Sequence, residues 1–231
     1  MTSVLERLKA RFEGHRLYVA GLPHFDRNFT RDSILSVLLM KDMPMLREQL
    51  LFCAKHQGRV RDPYTGEEPG KIHHEYPGYE LRGLSTQYNA CDTTALFLIG
   101  HQVYYDKTED VTFLEKNIWH IRQATEYIKR HLKEYLFYED PAEADARTFA
   151  AKVTYWKDSE IYGRVDGRPS YPSVFVLSHA QNLKALRSAA FLLDDAGLDR
   201  IADRMVERLK TTLFDVETNS FLIATDQDGP I

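Results

Sequence analysis

The stretch VTFLEKNIWHIRQATEYIKRHL, residues 111–132, decides the fold class. Val111, Leu114, Ile118, Ile121, Thr125, Ile128 and Leu132 recur at alternating steps of three and four residues. That spacing draws one stripe along a helix of 3.6 residues per turn and turns it toward a partner. The same step recurs at Leu198, Ile201, Met205, Leu209 and Leu213. Segments 33–41 and 45–56 read as two more helices, with Pro44 placed to start the second, where its fixed φ and missing N–H cost nothing. Segment 89–105 reads as a strongly apolar helix interrupted by Asp92, and 172–190 as another. Ala196-Gly197 supplies a tight break before the stripe that begins at Leu198.

Strand signals are confined to SFLIATD at 220–226. The elements predict an all-α chain of six or seven helices in successive antiparallel hairpins. Short turns at 42–44 and 106–110 alternate with long loops at about 58–86 and 137–170. Stacked hairpins put the short turns at one end and the long loops at the other, and long ordered loops carry function. No repeat and no low-complexity linker divides the sequence, so residues 1–231 read as a single domain.

Composition narrows the function classes. With 43% hydrophobic and 28% charged residues the chain supports a core and a soluble surface. A formal net charge of -4 speaks against a generally basic, nucleic-acid-seeking protein. No window of about 18 apolar residues offers a membrane span. The start, MTSVLERLKARFEGHR, is charged and amphipathic where a secretory signal is apolar. Cys53 and Cys91 sit in apolar runs and read as core thiols, with neither disulfide nor metal spacing. The expectation is a cytoplasmic protein without cofactor, metal, nucleic-acid or membrane partner. Its 13 Tyr, 12 Phe and 2 Trp fill a core and leave some to stack on flat apolar ring faces, which sugars present.

Four polar blocks stand out, each with a plain structural reading beside the functional one. In GLPHFDRNFTRDSILSVLL, 21–39, Thr30 reads as an N-cap and Asp32 as a first-turn acid. Alternatively, Arg31 and Asp32 present a donor fork and an acceptor to vicinal hydroxyls. In GKIHHEYPGYELRG, 70–83, His73-His74-Glu75 lacks the helical spacing and third ligand of a metal site and reads as a polar wall or a solvated loop. In STQYNACDTTALFLIG, 85–100, Asp92 pairs with a helix dipole, Asn89 reads as a cap, and Tyr88 lies four residues before Asp92. In YWKDS, 155–159, Asp158 beside Trp156 and Lys157 is either a loop acid or a carboxyl whose pKa burial raises toward general-acid use.

The order FDRNFTRDS, GKIHHE, YNACDTTALF, then YWKDS before a further helix, resembles the amylo-α-1,6-glucosidase and glycogen-debranching family. That family lies within the six-hairpin, glucoamylase-like glycosidases, and the resemblance runs from about residue 18 to the end. It implies an (α/α)6 toroid with its site at the mouth facing the long loops, and inverting hydrolysis of α-glucan or α-glucoside bonds by two carboxyl groups. Within it Arg31 and Asp32 look like the pair that grips the terminal sugar. Tyr88 and Asp92 look like further lining, Glu75 like a substrate-side acid, and Trp156, Lys157 and Asp158 like the general-acid loop with Asp158 as donor. The sequence departs from several members just after the acid, at Ser159-Glu160, which makes Glu160 a rival donor. Six or seven helices amount to about half a toroid. Inversion needs a base roughly 6.5–9.5 Å from the acid. That base is expected from a missing C-terminal half or a second chain. The competing expectations are a non-catalytic helical-hairpin protein that binds glycan or protein, and a trehalase- or mannosidase-like member of the same superfamily.

Overall fold

The structure, a computed structural model, describes residues 4–155 and 167–231. Its helices are α1 (Val4–Arg7), α2 (Thr30–Met40), α3 (Met43–Lys55), α4 (Thr93–Thr108), α5 (Val111–Arg130), α6 (Val176–Leu193) and α7 (Ala196–Thr212). The six long ones fall on the six segments read as helices. Asp42, Asp110 and Asp195 accept backbone N–H groups from Met45 (3.2 Å), Phe113 (2.9 Å) and Gly197 (2.8 Å), meeting donors that a helix start leaves open. Lys41, Glu109 and Asp194 end α2, α4 and α6 in the left-handed region, at φ 57°, 52° and 52°. Stop and start thus take two residues, and α2/α3, α4/α5 and α6/α7 fold back as antiparallel hairpins. The break before α7 is Asp194-Asp195; Ala196 and Gly197 already belong to the helix.

Helix α2 packs on α4 and α4 on α6, with α3, α5 and α7 behind them. The burial follows: α4 is buried continuously from Thr93 to Leu98, whereas α7 buries only Leu198, Ala202 and Met205. A Cβ on Gly100 of α4 would lie 3.2 Å from Leu50 Cδ2, so this glycine lets α3 and α4 approach closely. In α5 the buried residues are Phe113, Asn117, Ile121, Ala124, Thr125, Tyr127 and Ile128, a face rotated from the stripe read in the sequence, and Val111 is exposed. Two polar residues tolerate that face because each bonds one turn back. Asn117 donates to Phe113 O and Thr125 to Ile121 O, both at 2.8 Å.

The all-α expectation, with its (α/α)6 toroid, does not hold. Thirteen short strands in six antiparallel sheets run through the described residues. Lys9–Phe12 pairs with His15–Tyr18, Asn28–Phe29 with Glu75–Tyr76, and Leu132–Lys133 with Leu136–Phe137. Val174–Phe175 joins Ala224–Asp226 and Gly229–Pro230 in a three-stranded sheet, so SFLIATD does contribute strand. The cause is backbone accounting. Long connections packed on helices must pair their N–H and C=O groups, and two-residue ladders do so without any hydrophobic alternation. Their tight turns place both central residues at positive φ: Glu13-Gly14, Arg82-Gly83 and Glu134-Tyr135. No helix among the described residues is long and apolar enough to cross a membrane.

Candidate functional site

The N-termini of α2, α4 and α6 meet where the long connections lie. Arg31, in the first turn of α2, reaches Asp92, the residue that precedes α4. Its Nε donates to Asp92 Oδ2 at 2.6 Å and its Nη2 to Oδ1 at 3.1 Å. This two-bond fork is buried, with side-chain exposure of 8% for Arg31 and 1% for Asp92. Asp92 makes no cap bond to its own helix, so its carboxylate serves Arg31 and the positive ends of two helices together. Cys91 ties in α6: its Sγ lies 2.9 Å from Ser178 Oγ, and its carbonyl accepts from Asn182 Nδ2 at 3.3 Å.

Asp32 is not Arg31's fork partner. It is open to solvent, yet enough protein rings its carboxyl to raise its pKa through lost hydration, with Asp92 adding to the rise and Arg31 opposing it. An accessible acid thus sits beside a buried, rigid guanidinium–carboxylate pair. Thr30 opens α2 rather than capping it, and Phe29 stands at the cap position without a side-chain bond.

Glu75 is brought to the same end because its strand pairs with Asn28–Phe29. It is buried, accepts from Arg27 Nη1 at 3.0 Å and from the Thr86 hydroxyl, and Arg27 in turn lies 5.0 Å over the Tyr79 ring. His74 stands edge-on to Phe29, and burial, then Arg31, holds it neutral with a pKa of about 3. His73 is equally buried but packs on Phe52, His56 and Tyr76. The two histidines therefore serve different neighbours. Tyr88 is engaged elsewhere: its hydroxyl donates to His56 O at 2.9 Å. Helix α4 begins at Thr93, and Asn89, no cap, accepts from Ala151 N at 3.1 Å.

Trp156, Lys157, Asp158 and the rival Glu160 lie outside the described residues. The chain that leads to them is well placed. Thr154 O accepts from Cys91 N at 3.1 Å, next to Asp92, and Tyr155 stacks on Phe175 with centroids 4.7 Å apart.

Sequence reasoning missed a second ionic cluster just behind the fork. Lys71 is fully buried and donates to Glu68 Oε1 at 3.0 Å and to Gly66 O at 3.2 Å. Glu68 Oε2 lies 2.7 Å from His131 Nε2, and His131 Nδ1 lies 2.7 Å from Tyr138 O. Both ring nitrogens face acceptors, so both donate and the ring is an imidazolium; burial opposes this, but Glu68 outweighs it and raises the pKa. Burial would likewise lift Glu68, but Lys71 and His131 hold it well below the usual carboxylate range. Glu139 completes the group, 1% exposed and with its pKa pushed up to about 7. Burial is the main cause; Lys71 and His131 work against it, while Glu68 and Asp92 add to it. Its one sequence signal is an acid directly after the apolar run LFY at 136–138. A cleft of about 680 Å³ opens nearby, lined by Asp140, Arg147, Thr148, Arg168, Ser170 and Tyr171 among others.

No protein-family description and no curated protein matches the sequence. Solved structures do match the fold. The chain is similar to a family GH78 rhamnosidase of Bacillus sp. GL1, with TM-score 0.61 and 13% identity over 92% of this chain and 20% of that one. It is also similar to a family 76 glycoside hydrolase, a mannosidase, from Bacteroides thetaiotaomicron VPI-5482 (TM-score 0.56, 14% identity, 94% of this chain and 54% of that one). A family 76 glycoside hydrolase from a bovine Bacteroides thetaiotaomicron strain gives TM-score 0.52 and 12% identity over 87% and 39%. The fold is thus shared with parts of glycoside hydrolases, and the chain spans 20–54% of their lengths.

Proposed function

We propose that this chain carries the sugar-gripping wall of a glycoside hydrolase acting by inversion on α-glucan or α-glucoside bonds, of the amylo-α-1,6-glucosidase type. The observation that carries the reading is the buried Arg31–Asp92 fork at the long-loop end with solvent-open Asp32 beside it. A sugar ring offers hydroxyls that donate and accept together, and a rigid charged pair next to an accessible carboxyl answers both needs. Glu75, held by Arg27 and Thr86, forms a neighbouring wall. Asp158 is the proton donor in this reading, four residues after Thr154, whose carbonyl accepts from Cys91 N beside Asp92. The resemblance of the four ordered motifs supports the same assignment, and the shared fold supports a glycoside hydrolase in general.

The substrate contact is tested at Asp32. Removing a partner from a hydrogen-bonded sugar site leaves its mates unpaired, at a cost of roughly 1–3 kcal/mol. Asp32→Ala is therefore expected to lower kcat/KM on α-glucan by at least about tenfold with little change in melting temperature, since the residue is exposed. A fall in stability with normal kinetics assigns Asp32 to the helix start alone. Running the same assay on α-mannoside and α-rhamnoside substrates tells the α-glucan reading from a mannosidase-like one, which the fold neighbours raise.

A further inference from the structure

Helix α5 carries a large ring that its packing does not use. Trp119, midway along the helix, lies off the buried face and is 50% exposed. A lone exposed apolar residue needs no explanation. This one lines a cleft of about 420 Å³, the size of a small-ligand site, together with Gly58, Arg59, Pro69, His120 and Gln123.

The cleft is held in shape by the connection between α3 and α4 lying tightly on α5. Gly70 has φ +88°, and a Cβ there would stand 2.1 Å from Gln123 O, so only glycine allows this approach. Its N–H donates to Gly58 O at 2.8 Å, and the Gly58 N–H donates to Lys71 O at 2.9 Å. Gln57 Nε2 donates to Gly70 O and to His120 O, both at 3.0 Å, and Gln57 Oε1 lies 2.7 Å from His120 Nδ1. With its amide protons on two carbonyls, Gln57 accepts at the oxygen and His120 Nδ1 donates. Burial, then Arg59, lowers the His120 pKa, so the ring is neutral and its Nε2 is an acceptor.

The cleft also has donors to offer. The Arg59 N–H donates to Glu67 Oε1 at 2.7 Å, while its guanidinium makes no hydrogen bond or ion pair among the described residues. The Gln123 side-chain amide has none there either. A pyranose ring presents an apolar C–H face and a rim of hydroxyls that both donate and accept. The indole suits the face, the Arg59 and Gln123 N–H groups suit the rim as donors, and Gln123 Oε1 and His120 Nε2 suit it as acceptors. A single guanidinium on a chain of net charge -4 matches a neutral ligand and not a nucleic-acid strand.

We propose that the Trp119 cleft is a second, non-catalytic saccharide site on the outer side of α5, which takes a neutral pyranose unit of the glucan. The proposal rests on the reading above for the choice of sugar, but not on the Arg31–Asp92 fork.

The test titrates the 231-residue chain with maltotetraose and follows its two indole N–H signals and its backbone amides by NMR. The Trp119 indole and the Gly58, Arg59 and Gln123 amides are expected to shift saturably with one midpoint. Trp119→Ala, at a half-exposed position, should fold and lose that set while any response at Arg31 and Asp92 stays. Arg59→Ala, at an exposed position, should raise the midpoint about tenfold. A Trp119 indole without a saturable shift overturns the proposal, as do cleft amides that keep their midpoint in Trp119→Ala or in Arg59→Ala. AMP, a stacking ligand of another class, overturns it too if it moves the indole where maltotetraose does not. A cleft that responds while the fork stays silent supports this site and counts against the fork assignment.

Discussion

Asp158→Asn will cut hydrolysis of a natural α-glucan by about a thousandfold or more, while turnover of α-glucosyl fluoride stays within about tenfold of the unsubstituted protein. The asymmetry follows from what a general acid does. It protonates the leaving oxygen as the glycosidic bond breaks, so its loss matters in proportion to the basicity of that oxygen. A sugar alcohol needs the proton, and fluoride leaves nearly without it. The measurement belongs on the form of the protein that hydrolyses α-glucan, with both substrates assayed side by side. Glu160→Gln is the matched control and should be mild on both. If Glu160→Gln shows the leaving-group-dependent loss and Asp158→Asn does not, the donor is Glu160.

Asp92→Ala will destabilise the chain by about 3–5 kcal/mol, read from the denaturant midpoint. The reason is the place of the fork. The Arg31 side chain is 8% exposed and its Nε and Nη2 both donate to Asp92, so deleting the carboxylate removes two charge-assisted hydrogen bonds from a desolvated guanidinium. A loss below about 1 kcal/mol would put the fork with surface ion pairs and remove its claim to rigidity. The paired exchange Arg31→Leu with Asp92→Leu separates stability from function. Replacing both charges by apolar side chains of similar bulk is close to neutral for folding, so this variant should fold and yet fail to bind saccharide at the fork.

These residues show what a sequence carries on its face. Two of the six long helices, α5 and α7, were legible from an apolar stripe of three turns or more and the other four as apolar runs between breaks, whereas the Asp starts of α3, α5 and α7 emerged only with the structure. Apart from SFLIATD, the strands were not legible, because most are two-residue ladders with no period to detect. Even their turns were half hidden: Arg82-Gly83 carries a glycine that announces positive φ, whereas Glu134-Tyr135 does not. The site divided along the same line. Arg31, Asp32 and Asp92 were readable as polar residues at helix starts, but the partner of Arg31 lies 61 positions away and only folding chooses Asp92 over adjacent Asp32. The Glu68–Lys71–His131–Glu139 cluster was unreadable for the same reason. Its members are unremarkable loop and helix-end charges until the connections bury them together.

The central claim, that sugar binds where the N-termini of α2 and α4 meet, is tested most directly by mapping amide shifts of the chain titrated with maltotetraose. The expected result, beside the Trp119 response, is a saturable set of shifts concentrated at Arg31, Asp32, Asp92 and the Glu75 strand, with the Lys41-Asp42, Glu109-Asp110 and Asp194-Asp195 turns at the other end of the hairpins unmoved. Shifts confined to those turns, or no saturable shift at the Arg31–Asp92 fork, would contradict it.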